Sequence, residues 1–220
     1  MKSVFVVAMA CEAESVVANL TGVRTDMMFG REVIHGMLGG RETAVVVAGV
    51  GKVNAAAGTQ IALGSLGAKA ILNVGVAGGL DPALKVGDIL RVARAVQYDF
   101  DLTQINGTPL GTPNECSSPY FELAVASGDW PMATVATGDR FSDNEDEVVF
   151  LRQTFGANVR EMELGAIAHV AARAGVPLYA WKAISDVAGS GTMSSQYKVN
   201  LKNCLEILSR EVPALFAAMP

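Results

Sequence analysis

The sequence predicts an α/β fold in three layers: a mixed, mostly parallel central sheet with helices on both faces. Short runs such as Val4–Val7 and Thr43–Val50 are apolar almost throughout and rich in β-branched residues, as in strands covered on both faces. These runs alternate with helical patterns, the order expected of such layers. The composition agrees. Half of the 220 residues are hydrophobic and only 18% are charged, below the usual quarter. A chain of this size can bury about 70% of its unfolded surface, so one domain spanning 1–220 is expected. The same balance excludes a disordered, collagen-like or coiled-coil chain.

The elements follow in order. Val53–Leu66 has the small and apolar spacing of a buried helix, stopped by Gly67. Ala70–Val76 reads as a strand ending in the loop Gly75-Val76-Ala77-Gly78-Gly79, and Asp88–Val96 reads as another strand. Asp99–Pro119 is polar and rich in Pro and Gly, a long loop of the kind that is often functional. Met132–Thr137 is a strand, and Ser142-Asp143-Asn144-Glu145 is expected to form a capping box before a helix to Phe155. Leu164–Ala174 is a helix closed by Gly175, and Pro177–Ile184 is a strand. A last helix, capped by Ser194 or Ser195, carries the stripe Leu201, Leu205, Leu208, Val212 and Leu215. In such sheets ligands sit beyond the carboxyl ends of the strands.

The net charge of -5 and the absence of a basic patch argue against nucleic acid as a partner. No apolar run is long and uncharged enough to span a bilayer. Cys11, Cys116 and Cys204 are far apart and odd in number, so neither a zinc site nor a disulfide framework is expected. A reducing, cytoplasmic location follows. The short apolar N-terminus runs at once into Glu12 and Glu14, which argues against a signal peptide. Apolar residues in excess of one core suit a subunit interface.

Gly49-Val50-Gly51 follows a strand and opens a helix. A dinucleotide fingerprint would need glycine where Asn54 stands and an acid about twenty residues on. A Walker A loop would need Gly at 46 and Ser or Thr at 53, and both are Val. Neither NAD nor ATP is expected, and a tight turn explains the glycines as well. The loop from Gly75 to Gly79 would let a ligand approach the backbone closely. No Gly-x-Ser-x-Gly elbow marks a serine hydrolase. His35 and His169 are poor catalytic candidates, the latter inside an apolar helix pattern.

The acids are more informative. Glu12 follows the first strand, Glu161 and Glu163 precede an apolar helix, and Asp186 ends the strand beginning at Pro177. Each has a structural explanation: acids favour helix N-termini, and Asp is a common cap or turn residue. Together, near the ends of three strands, they could converge on one cleft. Carboxylates at a glycosidic bond do acid, base and cation-stabilising work.

Seven segments carry a resemblance to a known family. They are Ala8-Met9 with Glu12; Gly49-Val50-Gly51-Lys52-Val53-Asn54-Ala55-Ala56; Asn73-Val74-Gly75-Val76-Ala77-Gly78-Gly79-Leu80; Leu84-Lys85-Val86-Gly87-Asp88; Thr137-Gly138-Asp139-Arg140-Phe141; Glu161-Met162-Glu163 with Ala166-Ile167-Ala168-His169-Val170; and Ala183-Ile184-Ser185-Asp186-Val187-Ala188. In this order they resemble the purine nucleoside phosphorylase and nucleosidase superfamily, closest to the methylthioadenosine/S-adenosylhomocysteine nucleosidases.

The resemblance implies an N-glycosyl hydrolase acting on a purine nucleoside with water, without cofactor or metal, and a homodimer whose partner loop closes the site; the long loop Asp99–Pro119 is the candidate for the segment that reaches toward the neighbouring subunit. It implies that Asp186 protonates purine N7 and that Glu12 activates the attacking water. It implies that Glu163 binds the ribose hydroxyls, that Met162 lies against sugar and base, that Phe141 stacks on the purine, and that Ser142 offers backbone groups to the base edge. Val76, Ala77, Gly78, Glu161 and Ser185 complete the implied substrate site. Val76 stands where these nucleosidases usually show Ser, Lys182 where Arg is common, and Ala10-Cys11 where acids precede the glutamate. Other members of the superfamily act on futalosine-type nucleosides or are phosphorylases. The hexameric phosphorylases place an arginine before the glycine segment to hold phosphate, where this chain has Leu72-Asn73-Val74. A member that binds nucleosides without turning them over is the non-enzymatic alternative.

Overall fold

The computed structural model describes residues 2–220. In chain order its elements are β1 (Ser3–Val7), α1 (Ala10–Val17), β2 (Thr21–Met28), β3 (Arg31–Leu38), β4 (Arg41–Val47), α2 (Lys52–Gly64), β5 (Ala70–Gly79) and β6 (Ile89–Gln97). There follow α3 (Thr103–Asn106), β7 (Tyr120–Glu122), β8 (Met132–Thr137), α4 (Glu145–Phe155), β9 (Val159–Glu161), α5 (Leu164–Ala174), β10 (Leu178–Val187) and α6 (Met193–Ala217).

The strands form one mixed sheet in the order β10-β6-β8-β9-β5-β1-β4-β3-β2, with β7 on β6. Its middle, β4-β1-β5-β10, is parallel. A further pairing of β10 with β5 closes β10, β6, β8, β9 and β5 on themselves, so this part of the sheet has no free edge.

The period of two in each strand divides the core into layers. Val4, Val6, Ala44 and Val46 point into one cluster with Ala55, Ile61 and Ala62 of α2 and Ile167 and Ala171 of α5. Their neighbours Phe5, Val7 and Val45 point the other way, to Ala13 and Val16 of α1 and Cys204, Leu208, Val212 and Leu215 of α6. A smaller cluster packs Leu151 and Phe155 of α4 on Leu80, Val96 and Ala136.

Several local expectations are corrected. The glycine segment is not a loop: β5 runs through Gly79, because β9 and β10 pair with it there. Asp186 likewise lies within β10. The cap of α4 is Asn144, whose side chain accepts from the N–H groups of Asp146 and Glu147, while Ser142 accepts from Asn144. Thr192, not Ser194 or Ser195, precedes α6. Thr103–Asn106 forms a short helix within the long loop.

Candidate active site

Ends of β1, β5, β9 and β10 surround one cavity. It is lined by Glu12, Val76, Ala77, Gly78, Phe141, Glu161, Met162, Glu163, Ser185 and Asp186 of the sequence-derived candidates. Ser142 is buried next to Phe141 but is absent from the lining.

Glu12 sits in the first turn of α1, at an N-terminus where a carboxylate is favoured. Its two oxygens accept N–H groups from Ala8 and Met9 at 3.2 and 3.1 Å and from Val76 at 3.1 Å. The helix-start and site explanations therefore apply to the same side chain. Gly75 makes the approach feasible, since a Cβ there would overlap the Glu12 carboxylate. Burial pushes the Glu12 pKa up, against the pull of Lys182 and these N–H donors.

Lys182 pairs with Gly75 across β10 and β5 and is 2% exposed. Its Nζ is 3.1 Å from Glu161 Oε2. Burial alone would lower its pKa, but the charges of Glu161, Glu12 and Glu163 outweigh this and hold it raised. Glu161 also accepts from Thr137 Oγ1 at 2.5 Å and from the N–H groups of Glu163 and Leu164, so it anchors the start of α5 as well as lining the cavity. Glu163 accepts from the Gly51 N–H at 2.8 Å. Burial and the neighbouring Glu161 charge raise its pKa to about 7. The glycine turn at Gly51 thus serves as a donor to a site acid rather than as a phosphate loop.

Asp186 occupies the other end. A β-bulge between Ile184 and Asp186 brings Asp186, not Ser185, opposite Gly78. Its Oδ2 accepts from Ser185 Oγ at 2.6 Å, while Oδ1 is buried without any partner. Burial raises its pKa, opposed by the Ser185 hydroxyl and by Arg160. Phe141 is half-exposed at the mouth and meets Tyr197 edge to face at 5.8 Å. Among the described residues no cluster of three or more His, Cys, Asp or Glu is placed to hold a metal ion.

Sequence reasoning missed Ala8, Met9, Val50, Arg140, Arg160 and Tyr197 as lining residues. A signal existed for Arg160, a charge beside Glu161-Met162-Glu163 in an otherwise apolar stretch. None existed for Tyr197, which reaches the cavity from α6. The histidines lie outside: His169 bonds Glu115 and Gln97 and stacks on Phe121, and His35 faces Asp26.

The sequence model of the phosphorylase superfamily matches residues 2–218. The chain belongs to that superfamily. It is 33% identical over 211 residues to the 5′-methylthioadenosine/S-adenosylhomocysteine nucleosidase of Geobacillus kaustophilus, covering 90% of each chain. The fold is similar to that of the Helicobacter pylori enzyme of the same name, solved with a pyrrolidine-based ligand, at TM-score 0.89 and 25% identity over 99% of this chain and 98% of that one. It is also similar in fold to the futalosine hydrolase of H. pylori, at TM-score 0.89 and 24% identity over 99% and 97% of the two chains. The three-layer α/β fold expected from the sequence is the fold of this superfamily.

Proposed function

We propose that the chain is a purine nucleosidase: it hydrolyses the N-glycosidic bond of a 5′-modified purine nucleoside, of the class named for its Geobacillus and Helicobacter relatives. The observation that carries this is the buried, unpartnered Oδ1 of Asp186, a residue 1% exposed, on the wall of a cavity that also holds Glu12 and Glu163. A buried polar atom without a partner calls for a ligand group.

Asp186 is the general acid. A purine leaves poorly as an anion, so proton transfer to N7 as the C1′–N9 bond breaks lowers the barrier. Burial keeps the carboxyl protonated to higher pH than an exposed Asp. The electron pair of the bond passes to the base, and C1′ develops positive charge that the acids at the Glu12 end stabilise. Glu12 takes a proton from the water that forms the new C1′–O bond. Its three N–H donors fit a carboxylate that accepts only. Glu163 holds the ribose hydroxyls, with Met162 under the sugar and Phe141 over the base. Ser142 supports the base edge through its backbone.

The proposal covers the assembly. The chain acts as one domain, in the cytoplasm, as a homodimer whose partner closes the cavity mouth. The apolar side chains of Val50, Val53 and Ile105 are exposed, and Val50 lines the cavity. Light scattering at micromolar protein should give twice the 23.0 kDa chain mass; a monomer overturns the dimer. For the activity, free base is measured from 5′-methylthioadenosine, 5′-methylthioinosine, adenosine and inosine, with and without phosphate. Release independent of phosphate is expected. Strict phosphate dependence makes the chain a phosphorylase instead, and binding without release makes it a non-enzymatic member.

A further inference from the structure

Asp186 is flanked by a guanidinium that does not pair with it. Gly78 of β5 stands opposite Asp186 on β10 and opposite Arg160 on β9. Residues paired across neighbouring strands project to the same face, so acid and arginine leave the sheet on one side with a glycine between them. A Cβ on Gly78 would come within 2.9 Å of Asp186 Oδ1 and 3.6 Å of Arg160 Cγ. An arginine so placed ordinarily pairs with the acid and pulls its pKa down by roughly 1–3 pH units. Asp186 would then be ionised at neutral pH, with no proton to give.

Met193 fills the space between them. It is the first residue of α6 and is 3% exposed. Its methyl carbon is the nearest atom to the place that a Gly78 Cβ would take, at 2.8 Å, next to Asp186 Oδ1. Its sulfur accepts from Arg160 Nη2 at 3.0 Å, and Arg160 Nη1 donates to Glu147 Oε2 at 3.0 Å. The guanidinium is therefore taken up by Met193 and Glu147 rather than by Asp186. Asp186 lines the cavity and Met193 does not, so the thioether covers the carboxyl from the α6 side.

The surroundings keep Met193 in place. Ser194, the next residue, donates its N–H and its hydroxyl to Asp143 at 3.1 and 2.7 Å, which ties the start of α6 to the segment ahead of α4. The ionisable groups that face Asp186 are Arg160 from β9, Asp143 from that segment, and Tyr197 and Cys204 from α6. Of these only Arg160 is a cation, and it pulls the Asp186 pKa down against the push of burial. Oδ1 has no hydrogen-bond partner, and a thioether methyl offers it none. An unpartnered carboxyl oxygen beside an apolar group disfavours the ionised form.

We propose that Met193 is a positioning residue for the general acid: it holds the Arg160 guanidinium off Asp186 and keeps water from Oδ1, so that Asp186 retains its proton until the base arrives. This rests on the nucleosidase reading of Asp186. A thioether suits the task because its two parts differ. The sulfur is a weak acceptor that engages Arg160 without carrying charge, and the methyl is an apolar cover for the acid. Leucine supplies the cover without the acceptor. Alanine leaves a gap lined by a cation and an acid, which Arg160 or water fills.

The test titrates Asp186 directly, by carbon NMR of protein carrying carboxyl-labelled aspartate, with the Asp186 signal identified by its loss in Asp186→Asn. In the wild type the midpoint should lie above that of an ordinary Asp; a midpoint at or below it overturns the proposal without any variant at position 193. In Met193→Ala the midpoint should fall by at least about one pH unit. For the same variant, kcat on 5′-methylthioadenosine at pH 7 should fall at least about tenfold, with the basic limb of its pH profile moved down in step. Met193→Leu should keep both close to wild type. A midpoint unchanged in folded Met193→Ala, or shifted equally in Met193→Leu, overturns the proposal, as does a loss confined to melting temperature. Should Met193→Ala fail to fold, Met193→Gln takes its place: its amide can donate to Oδ1, and the same fall is expected. Absence of turnover on every nucleoside tried, with the midpoints moving as stated, would sink the nucleosidase reading and leave the role of Met193 supported.

Discussion

At the Glu12 end of the cavity three carboxylates, Glu12, Glu161 and Glu163, surround one buried ammonium, Lys182. At the Asp186 end two guanidiniums, Arg140 and Arg160, share Glu147. The first end is more negative than the second, where Glu147 and Asp143 offset the two guanidiniums. Heterolysis of a bond between sugar and base makes the sugar positive and the base negative. The cavity is polarised in the same sense, so one static field assists both halves of the separation. The comparison also shows that similar burial does different work. Burial raises Asp186, which suits a group that must give up a proton. It raises Glu12 too, but there Lys182 and three N–H donors oppose it, which suits a group that must receive one.

The sharpest way to break this comparison is to disable one end alone. Asp186→Asn keeps the shape and the hydrogen bond but transfers no proton. We expect kcat to fall by about 10²–10⁴, or about 3–5 kcal/mol of transition-state stabilisation, with nucleoside affinity nearly unchanged. Rapid-quench kinetics and calorimetry separate the two. A variant retaining more than about a tenth of kcat would show that Asp186 is a structural residue, as would a loss confined to melting temperature.

A smaller effect is expected from geometry at the opposite end. In Gly75→Ala the new methyl overlaps the Glu12 carboxylate. Overpacking of this kind costs about 1–3 kcal/mol of stability, and displacement of Glu12 should lower kcat at least roughly tenfold, since one ångström of misplacement is worth up to about 10² in rate. Urea unfolding and kcat are both read. Unchanged kcat would mean that the fit of Glu12 against β5 does not matter to turnover.

The smallest effect sharpens the electrostatic contrast. Glu163 has a folded pKa of about 7 against an ordinary 4.5. Between those values the folded state binds more protons than the unfolded one, so stability falls as pH rises from about 4.5 through about 7. Glu163→Gln removes that slope. The variant should gain on the order of 1–2 kcal/mol relative to wild type on going from pH 5 to pH 7.5, measured by chemical denaturation at both pH values. A parallel pH dependence in the two proteins would mean that Glu163 is not strained by Glu161.

Much of the scaffold was legible because hydrophobic periodicity is a local property. The strand at Met132–Thr137 and the helix at Leu164–Ala174 occur where the pattern put them. The hairpin of β2 and β3 was not legible, since β2 is largely exposed and lacks an apolar face. The glycine segment was misread for a related reason. Glycines weaken a strand from local propensity alone, yet β9 and β10 supply partners that only the folded chain brings near.

By itself, the sequence determined the layers, the apolar faces that build them and the identity of the acids near the strand ends. These depend on residue type and spacing along the chain. Only the tertiary structure decided which acids share one cavity, how Gly75 admits Glu12, how one bulged residue turns Asp186 toward Gly78, and that Arg160 completes the row from the other side. The physical reason is that register is set between strands distant in sequence. A shift of one residue sends a side chain to the opposite face, and no local pattern in the chain encodes that choice.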